Sequence, residues 1–280
     1  MALIDVSNLS LSYGDKSILN NLSFGVEKSE RLAIVGANGS GKSTLGRLIA
    51  GWHVNATMSG SILFEGRPWK DLVNAEHASS IQLVGQIPVQ HLSGRAFTVE
   101  EEIAFGPENL GLPSSEIHKR VDFALNATNL CHLLERNPFS LSGGEQQRLV
   151  IAASLALKPQ VLVLDEPFTN LDPQSRDAML GVLDSLSTDL TIILLETNPG
   201  LAATLAERII FLDNSRLVAD GNAREVLFNP RLVERLGLPS VTKAIVSFLG
   251  QDHQLASTKT LPLASVQFDA FIESLSDVKN

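Results

Sequence analysis

An α/β fold built on a parallel sheet is what this sequence predicts, on three observations. The block from Glu145 to Leu212 alternates helix-like segments with apolar runs of four or five residues, which suits strands buried on both faces. Arg31 to Val35 is a further apolar run, and it enters a glycine-rich loop that opens a helix at Lys42. The first 30 residues read as short strands, so a smaller β unit precedes the parallel one.

Each element has its own warrant. Leu9, Leu11 and Tyr13 alternate with polar residues, Ile18, Leu22, Phe24 and Val26 follow, and Gly14-Asp15 supplies the turn between them. Residues 61–64 and 81–85 read as further strands. Residues 99–128 read as helical: Ile117, Val121, Ala124 and Leu125 share one face, and Pro113-Ser114-Ser115 is a helix start. Glu145 to Leu157 is a helix stopped by Lys158-Pro159. Val161 to Leu164 is a strand, and Pro173 to Leu186 is a helix with proline in its first turn. Thr191 to Leu195 and Ile209 to Leu212 are strands, with Leu201 to Ala206 helical between them. Residues 231–280 read as a small appendage with a fresh turn at Gly237-Leu238-Pro239.

Composition excludes several functions. The 280 residues carry 22 Lys+Arg against 31 Asp+Glu, a net charge of −9. With a pI near 5.2, the chain lacks the basic face a general nucleic-acid binder needs. Hydrophobic residues at 44% and charged residues at 19% describe a globular chain. Mean hydropathy of +0.12 raises the question of a membrane span. The longest apolar stretches, such as Leu149 to Leu157, fall well short of the ~18 residues a span requires. The amino terminus has no basic segment of a signal peptide. Cys131 is the only cysteine, which excludes an intrachain disulfide and a cysteine zinc cluster and points to a reducing, cytoplasmic setting.

Two motifs carry chemistry on their own residues. Gly36-Ala37-Asn38-Gly39-Ser40-Gly41-Lys42-Ser43 fits the phosphate-binding pattern G-x-x-x-x-G-K-[ST], between a strand and a helix as that pattern requires. Its glycines let successive N–H groups face an anion, and the helix start adds positive charge. Lys42 is placed to reach the β- and γ-phosphates of ATP, and Ser43 to bind Mg²⁺. Val161 to Leu164 ends in Asp165 and Glu166. Asp165 is a second candidate for Mg²⁺, and Glu166 a candidate to orient or deprotonate an attacking water.

Leu141-Ser142-Gly143-Gly144-Glu145-Gln146-Gln147-Arg148 ends 17 residues before Asp165. A P-loop, this run and an acid-tipped strand, in that order, resemble the ATP-binding cassette (ABC) family over roughly residues 2–228. The resemblance implies a P-loop NTPase fold: a RecA-like core with a parallel sheet, an antiparallel β subdomain and a helical subdomain at about 87–158. It divides the chain into a cassette, 1–230, and a carboxy-terminal extension, 231–280, with a dimerisation or regulatory role. It implies ATP held by Tyr13 on adenine and by Gly36, Asn38, Gly39, Ser40, Gly41, Lys42, Ser43 and Thr44. Mg²⁺ falls to Ser43, Gln86 and Asp165. A second cassette in a head-to-tail dimer would be served by Ser142, Gly143, Gly144 and Asp172. Gln86 and Glu166 are the implied catalytic groups.

One position departs from the family. Its switch histidine should follow the strand Thr191 to Leu195, and this chain reads Glu196-Thr197-Asn198-Pro199, so Thr197 stands in the histidine slot. No histidine lies between His132 and His253, so a shifted alignment does not restore it. The threonine has less reach, and Glu196 adds negative charge beside the phosphate if it points inward.

Thr98 to Leu112, TVEEEIAFGPENLGL, is similar to a segment of energy-coupling-factor (ECF) importers of vitamins and metal ions. That resemblance implies an ATPase on the cytoplasmic face of the cell membrane, working peripherally with a transmembrane coupling protein and a substrate-binding membrane subunit. The second ATPase would be a related heterologous subunit, or a second copy. The alternatives are the ATPase of another ABC importer, or a partly degenerate cassette in which ATP acts as a structural clamp.

Overall fold

The computed structural model describes residues 2–52, 54–71, 79–227, 229, 231–232 and 235–236. Strands β1 (Ile4–Tyr13) and β2 (Lys16–Val26) pair antiparallel, and Gly14 takes a positive φ of 55° in the turn between them. β4 (Thr57–Phe64) pairs with the other edge of β1, and β5 (Arg67–Pro68) closes a four-stranded sheet in the order β2-β1-β4-β5.

The second sheet has six strands in the order β10-β9-β3-β8-β7-β6. β3 (Arg31–Val35), β6 (Ile81–Val84), β7 (Val161–Asp165), β8 (Thr191–Glu196) and β9 (Arg208–Asp213) are parallel, and β10 (Arg216–Asn222) is an antiparallel edge. Strands apolar throughout are expected where both faces are covered. In β3, Ala33 and Val35 enter one core, while Leu32 and Ile34 enter the other. In β7, Leu162 and Leu164 divide from Val161 and Val163 in the same way.

Helix α1 (Lys42–Ile49) buries Leu45, Leu48 and Ile49 between the two sheets, against Leu9, Leu11 and Leu22. The opposite face is covered by α4 (Gly143–Ala156), α5 (Pro173–Ser185), α6 (Pro199–Leu205) and α7 (Ala223–Leu227). α4 serves two cores. Val150, Ile151 and Leu155 pack on the sheet, while Leu149, Ala152 and Ala156 pack with α2 (Val99–Asn109) and α3 (Ser114–Ala127) in a separate helical cluster.

The structure refines several sequence expectations. The helical run expected over 99–128 is two helices, broken at Gly111 (φ 68°), Leu112 and Pro113. β4 starts four residues earlier than read, because Thr57 to Gly60 are exposed and Met58 is the one large apolar residue among them. β10 was not assigned from sequence. Most of the expected extension lies outside the described residues. Where it is described, Leu232 and Leu236 pack into the sheet-face core and Arg235 pairs with Asp213.

Candidate nucleotide site at the ends of the parallel strands

Open parallel sheets place ligands beyond the carboxyl ends of their strands, and the phosphate loop, Asp165, Glu166 and Gln86 gather there. The loop after β3 is shaped by its glycines. Gly39 and Gly41 take φ of 80° and 102°, which L side chains avoid. A Cβ at Gly41 would lie 2.7 Å from the Ile18 carbonyl oxygen, and one at Gly36 would run into that of Leu212. The N–H groups of Gly39, Gly41 and Lys42 have no backbone acceptor among the described residues. Ser40 Oγ is buried without a partner. Curled N–H groups, an orphaned hydroxyl and a helix start make a cradle fitted to a polyanion.

Lys42 is buried at the mouth of this loop. Its Nζ donates to the Gly36 carbonyl at 2.7 Å and the Ala37 carbonyl at 3.2 Å, and lies 3.9 Å from Glu166 Oε1. Burial pulls its pKa below the ordinary lysine value, while Glu166, Asp165 and Glu196 pull it back up.

Ser43 and Asp165 meet across the α1–β7 contact, the hydroxyl donating to Oδ1 at 3.0 Å. Asp165 is 6% exposed, and burial raises its pKa, with the Ser43 hydrogen bond opposing. A buried carboxylate beside a hydroxyl, both oxygen donors, fits Mg²⁺. Glu166 follows in a left-handed backbone conformation, φ 48°, which costs a side-chain-bearing residue about 1–2 kcal/mol. Its N–H donates to the Leu195 carbonyl at 2.9 Å. Its Oε2 accepts from Gln86 Nε2 and from Thr169 Oγ1, each at 3.2 Å. Gln86, 80 residues upstream, thus meets the carboxylate at the candidate site.

Ser142, Gly143, Gly144 and Asp172 stand apart from the loop, with no hydrogen bond or ion pair to Gly36–Ser43 among the described residues. Ser142 caps α4 in a reciprocal box with Glu145, and Ser142 and Gly143 are exposed. Gly144 is buried; a Cβ there would sit 3.0 Å from Ser175. Asp172 caps α5 through the Ser175 N–H at 3.0 Å. Tyr13 is 43% exposed at the tip of β1, outside the cores. Thr197 is exposed, and Asn38 and Thr44 lie on the loop and in the first turn of α1.

Sequence reasoning left three contributors unplaced. Glu196 does point inward. It is 3% exposed, and its Oε2 accepts the N–H groups of Thr197 at 3.0 Å and Asn198 at 3.2 Å. Burial raises its pKa to about 7; those hydrogen bonds and Lys42 oppose the rise, and Glu166 adds to it. Thr169 supports Glu166, three residues after it, with no signal in the sequence. His91 reaches back to the residue before Gln86, and the pairing of a glycine there with a histidine six residues on was the only sign of it.

A family model described as ABC transporter matches residues 19–169. The energy-coupling factor transporter ATP-binding protein EcfA1 of Methanospirillum hungatei is 37% identical over 276 residues, covering 96% of this chain and 97% of its own. EcfA of Methanoculleus marisnigri is 36% identical over 257 residues, covering 88% and 90%. Among solved structures, CbiO1 from Clostridium perfringens, described as part of the ABC transporter complex CbiONQ, matches with a TM-score of 0.74 and 28% identity over 91% of this chain and 97% of that one. A dimeric ATP-binding cassette in a post-hydrolysis state with ADP and phosphate matches with a TM-score of 0.68 and 24% identity, over 79% and 98%, a likeness of fold alone.

Proposed function

Because the chain belongs to the ABC transporter family, as an ATPase of energy-coupling-factor type, we propose that it hydrolyses ATP to drive an importer of a vitamin or a metal ion. One observation supports the reading above all: Lys42, Ser43, Asp165, Glu166 and Gln86 converge beyond the ends of β3, β6 and β7.

On this reading the loop from Gly36 to Thr44 binds the phosphates through its backbone N–H groups, with Tyr13 stacked on adenine. Lys42 exchanges its two carbonyl partners for phosphate oxygens. Ser43, Asp165 and Gln86 would hold Mg²⁺, which would supply positive charge beside the phosphate oxygens. Glu166 takes the proton of the attacking water, its carboxylate fixed in direction by Gln86 and Thr169. Ser142, Gly143, Gly144 and Asp172, which make no hydrogen bond to this loop, serve the site of a second cassette. The working unit is then a dimer, with residues 1–230 as its cassette and 231–280 as an extension for dimerisation or regulation. It is held at the cytoplasmic face of the membrane by a transmembrane coupling protein that carries a substrate-binding subunit. No helix among the described residues is long and apolar enough to cross a membrane, so the spanning falls to those partners.

Thr197 and the buried Glu196 favour a second ATPase that is related but not identical, which would bring an intact switch histidine to one of the two sites. The test is to purify the full chain from membranes in mild detergent, identify the polytopic protein retained with it, and measure phosphate release. Lys42→Ala and Glu166→Gln should each abolish release, and Glu166→Gln should retain ATP in a closed dimer. A chain recovered free of any membrane protein, or a Lys42→Ala complex that hydrolyses ATP like the wild type, overturns the proposal.

A further inference from the structure

Gln86 meets Glu166 through a terminal amide on an exposed loop, and an exposed amide needs something to hold its backbone in place. The residue before it supplies that anchor. The Gly85 N–H donates to His91 Nε2 at 3.1 Å, closing the segment between them into a ring that includes the single helical turn Pro88–His91. Gly85 is what admits the imidazole, because a Cβ at this position would overlap His91 Nε2 and lie 3.1 Å from Cε1. Its φ lies outside the left-handed region, so close approach rather than backbone conformation is what calls for glycine here. Nε2 accepts only when the imidazole is neutral and its proton sits on Nδ1. Burial, and behind it the charge of Arg47, lowers the ring's pKa and so favours the neutral imidazole, and the Gly85 N–H at Nε2 leaves its proton to Nδ1.

The ring has a second side. His91 lines a groove of about 450 Å³ with Trp52, Trp69, Glu102 and Phe105, between the sheet and the helical cluster. Its centroid lies 6.1 Å from that of Trp52. One side chain therefore touches both the groove and the backbone that carries Gln86.

We propose that His91 is a positioning residue for hydrolysis, whose hydrogen bond to Gly85 holds Gln86 against Glu166. The proposal rests on the reading of Gln86 and Glu166 as members of an ATP site. It assigns a role to a histidine outside the phosphate loop, the acid-tipped strand and the signature run. Loss of the bond leaves ATP binding intact, since His91 touches none of Gly36 to Ser43, and lowers the rate at which bound ATP is cleaved.

The test compares His91→Leu, which cannot accept, with His91→Gln, which can accept through its amide oxygen, and with Gly85→Ala, whose methyl expels the ring. Phosphate release is measured on the full chain in its complex, and amide exchange across Gly85–Gln86 is measured by mass spectrometry. His91→Leu and Gly85→Ala should each lower kcat about tenfold with KM for ATP changed less than about twofold, and should speed amide exchange there at least about tenfold. His91→Gln should restore most of both. The double variant Gly85→Ala/His91→Leu should be no worse than either single variant, because both break one bond. A His91→Leu protein with wild-type kcat and wild-type exchange overturns the inference. So does a His91→Gln protein as impaired as His91→Leu, or losses that multiply in the double variant. Lys42→Ala run alongside separates the two failures: if it still hydrolyses ATP, the ATP-site reading falls, and if it is dead while His91→Leu is normal, only the role of His91 falls.

Discussion

Glu196 offers a prediction whose sign and size both follow from its surroundings. The carboxyl is buried beside Glu166, and its hydrogen-bond donors are the Thr197 and Asn198 N–H groups. Its pKa rises from an ordinary 4.5 to about 7, chiefly because burial penalises the charge. An unfolded chain releases this proton near pH 4.5, whereas the folded chain keeps it until about pH 7. Between those values the folded state binds more protons, so the stability it contributes is complete below about 4.5 and is lost as pH rises through about 7. At about 1.4 kcal/mol per pH unit, the full loss is about 3 kcal/mol.

Glu196→Gln removes the titration and keeps an oxygen to accept both N–H groups. The variant and the wild type should therefore be equally stable near pH 4.5, and the variant more stable by up to about 3 kcal/mol at pH 8. For a domain of this size that is a gap in Tm of about 6–12 °C, opening between pH 5 and 7.5. Thermal unfolding across that range measures it. Equal Tm differences at both ends of the range would refute the reasoning, and a variant less stable than the wild type at pH 8 would show that the charge is welcome where it sits.

Two further outcomes follow from the site. Thr197→His should raise turnover of the assembled transporter, read as phosphate release; no gain would show that the missing imidazole does not limit the rate, and a pure homodimer of the wild type with full turnover would remove the case for a heterologous partner. Gly41→Ala places a methyl 2.7 Å from the Ile18 carbonyl at φ 102°, so it should cost about 1–3 kcal/mol in thermal unfolding and abolish binding of a fluorescent ATP analogue; undiminished binding would show that the loop does not need its glycine conformation.

What the sequence made legible depended on how local each feature is. The phosphate loop is eight consecutive residues whose chemistry and backbone demands coincide, and most of the buried strands announce themselves by runs of consecutive apolar residues at their centres. β10 does not, because it is an edge strand, half-buried and carrying Arg216 and Asp220. The Gln86–Glu166 contact joins residues 80 apart, and neither residue type signals it; Glu166 stands out at the end of its strand, but only resemblance to a family singled out Gln86. Glu196 was visible as an acid at a strand end, but its direction was not. In the fold the carboxylate turns in to accept the Thr197 and Asn198 N–H groups, a contact that strand-end position alone does not announce.

On the proposed reading, one chain alone gains little from a phosphate at its catalytic groups. Lys42 already holds two carbonyls, Glu166 already holds two donors, and Ser43 already donates to Asp165. An arriving phosphate must exchange these bonds rather than add to them, so the net gain per bond is about 1 kcal/mol, far below its gross strength. Binding gains most where donors have no partner to give up, and those are the N–H groups of Gly39, Gly41 and Lys42 and the hydroxyl of Ser40. On that reading they cradle phosphate, and none of them is bonded to Glu166. Ser142 and Gly143 are exposed and make no hydrogen bond to this chain's own loop among the described residues, and the Ser142 N–H and hydroxyl both donate to Glu145. On the proposed reading, the differential affinity of ATP for a closed pair of cassettes comes from the second chain's signature run, and that affinity sets how far ATP shifts the pair toward closure.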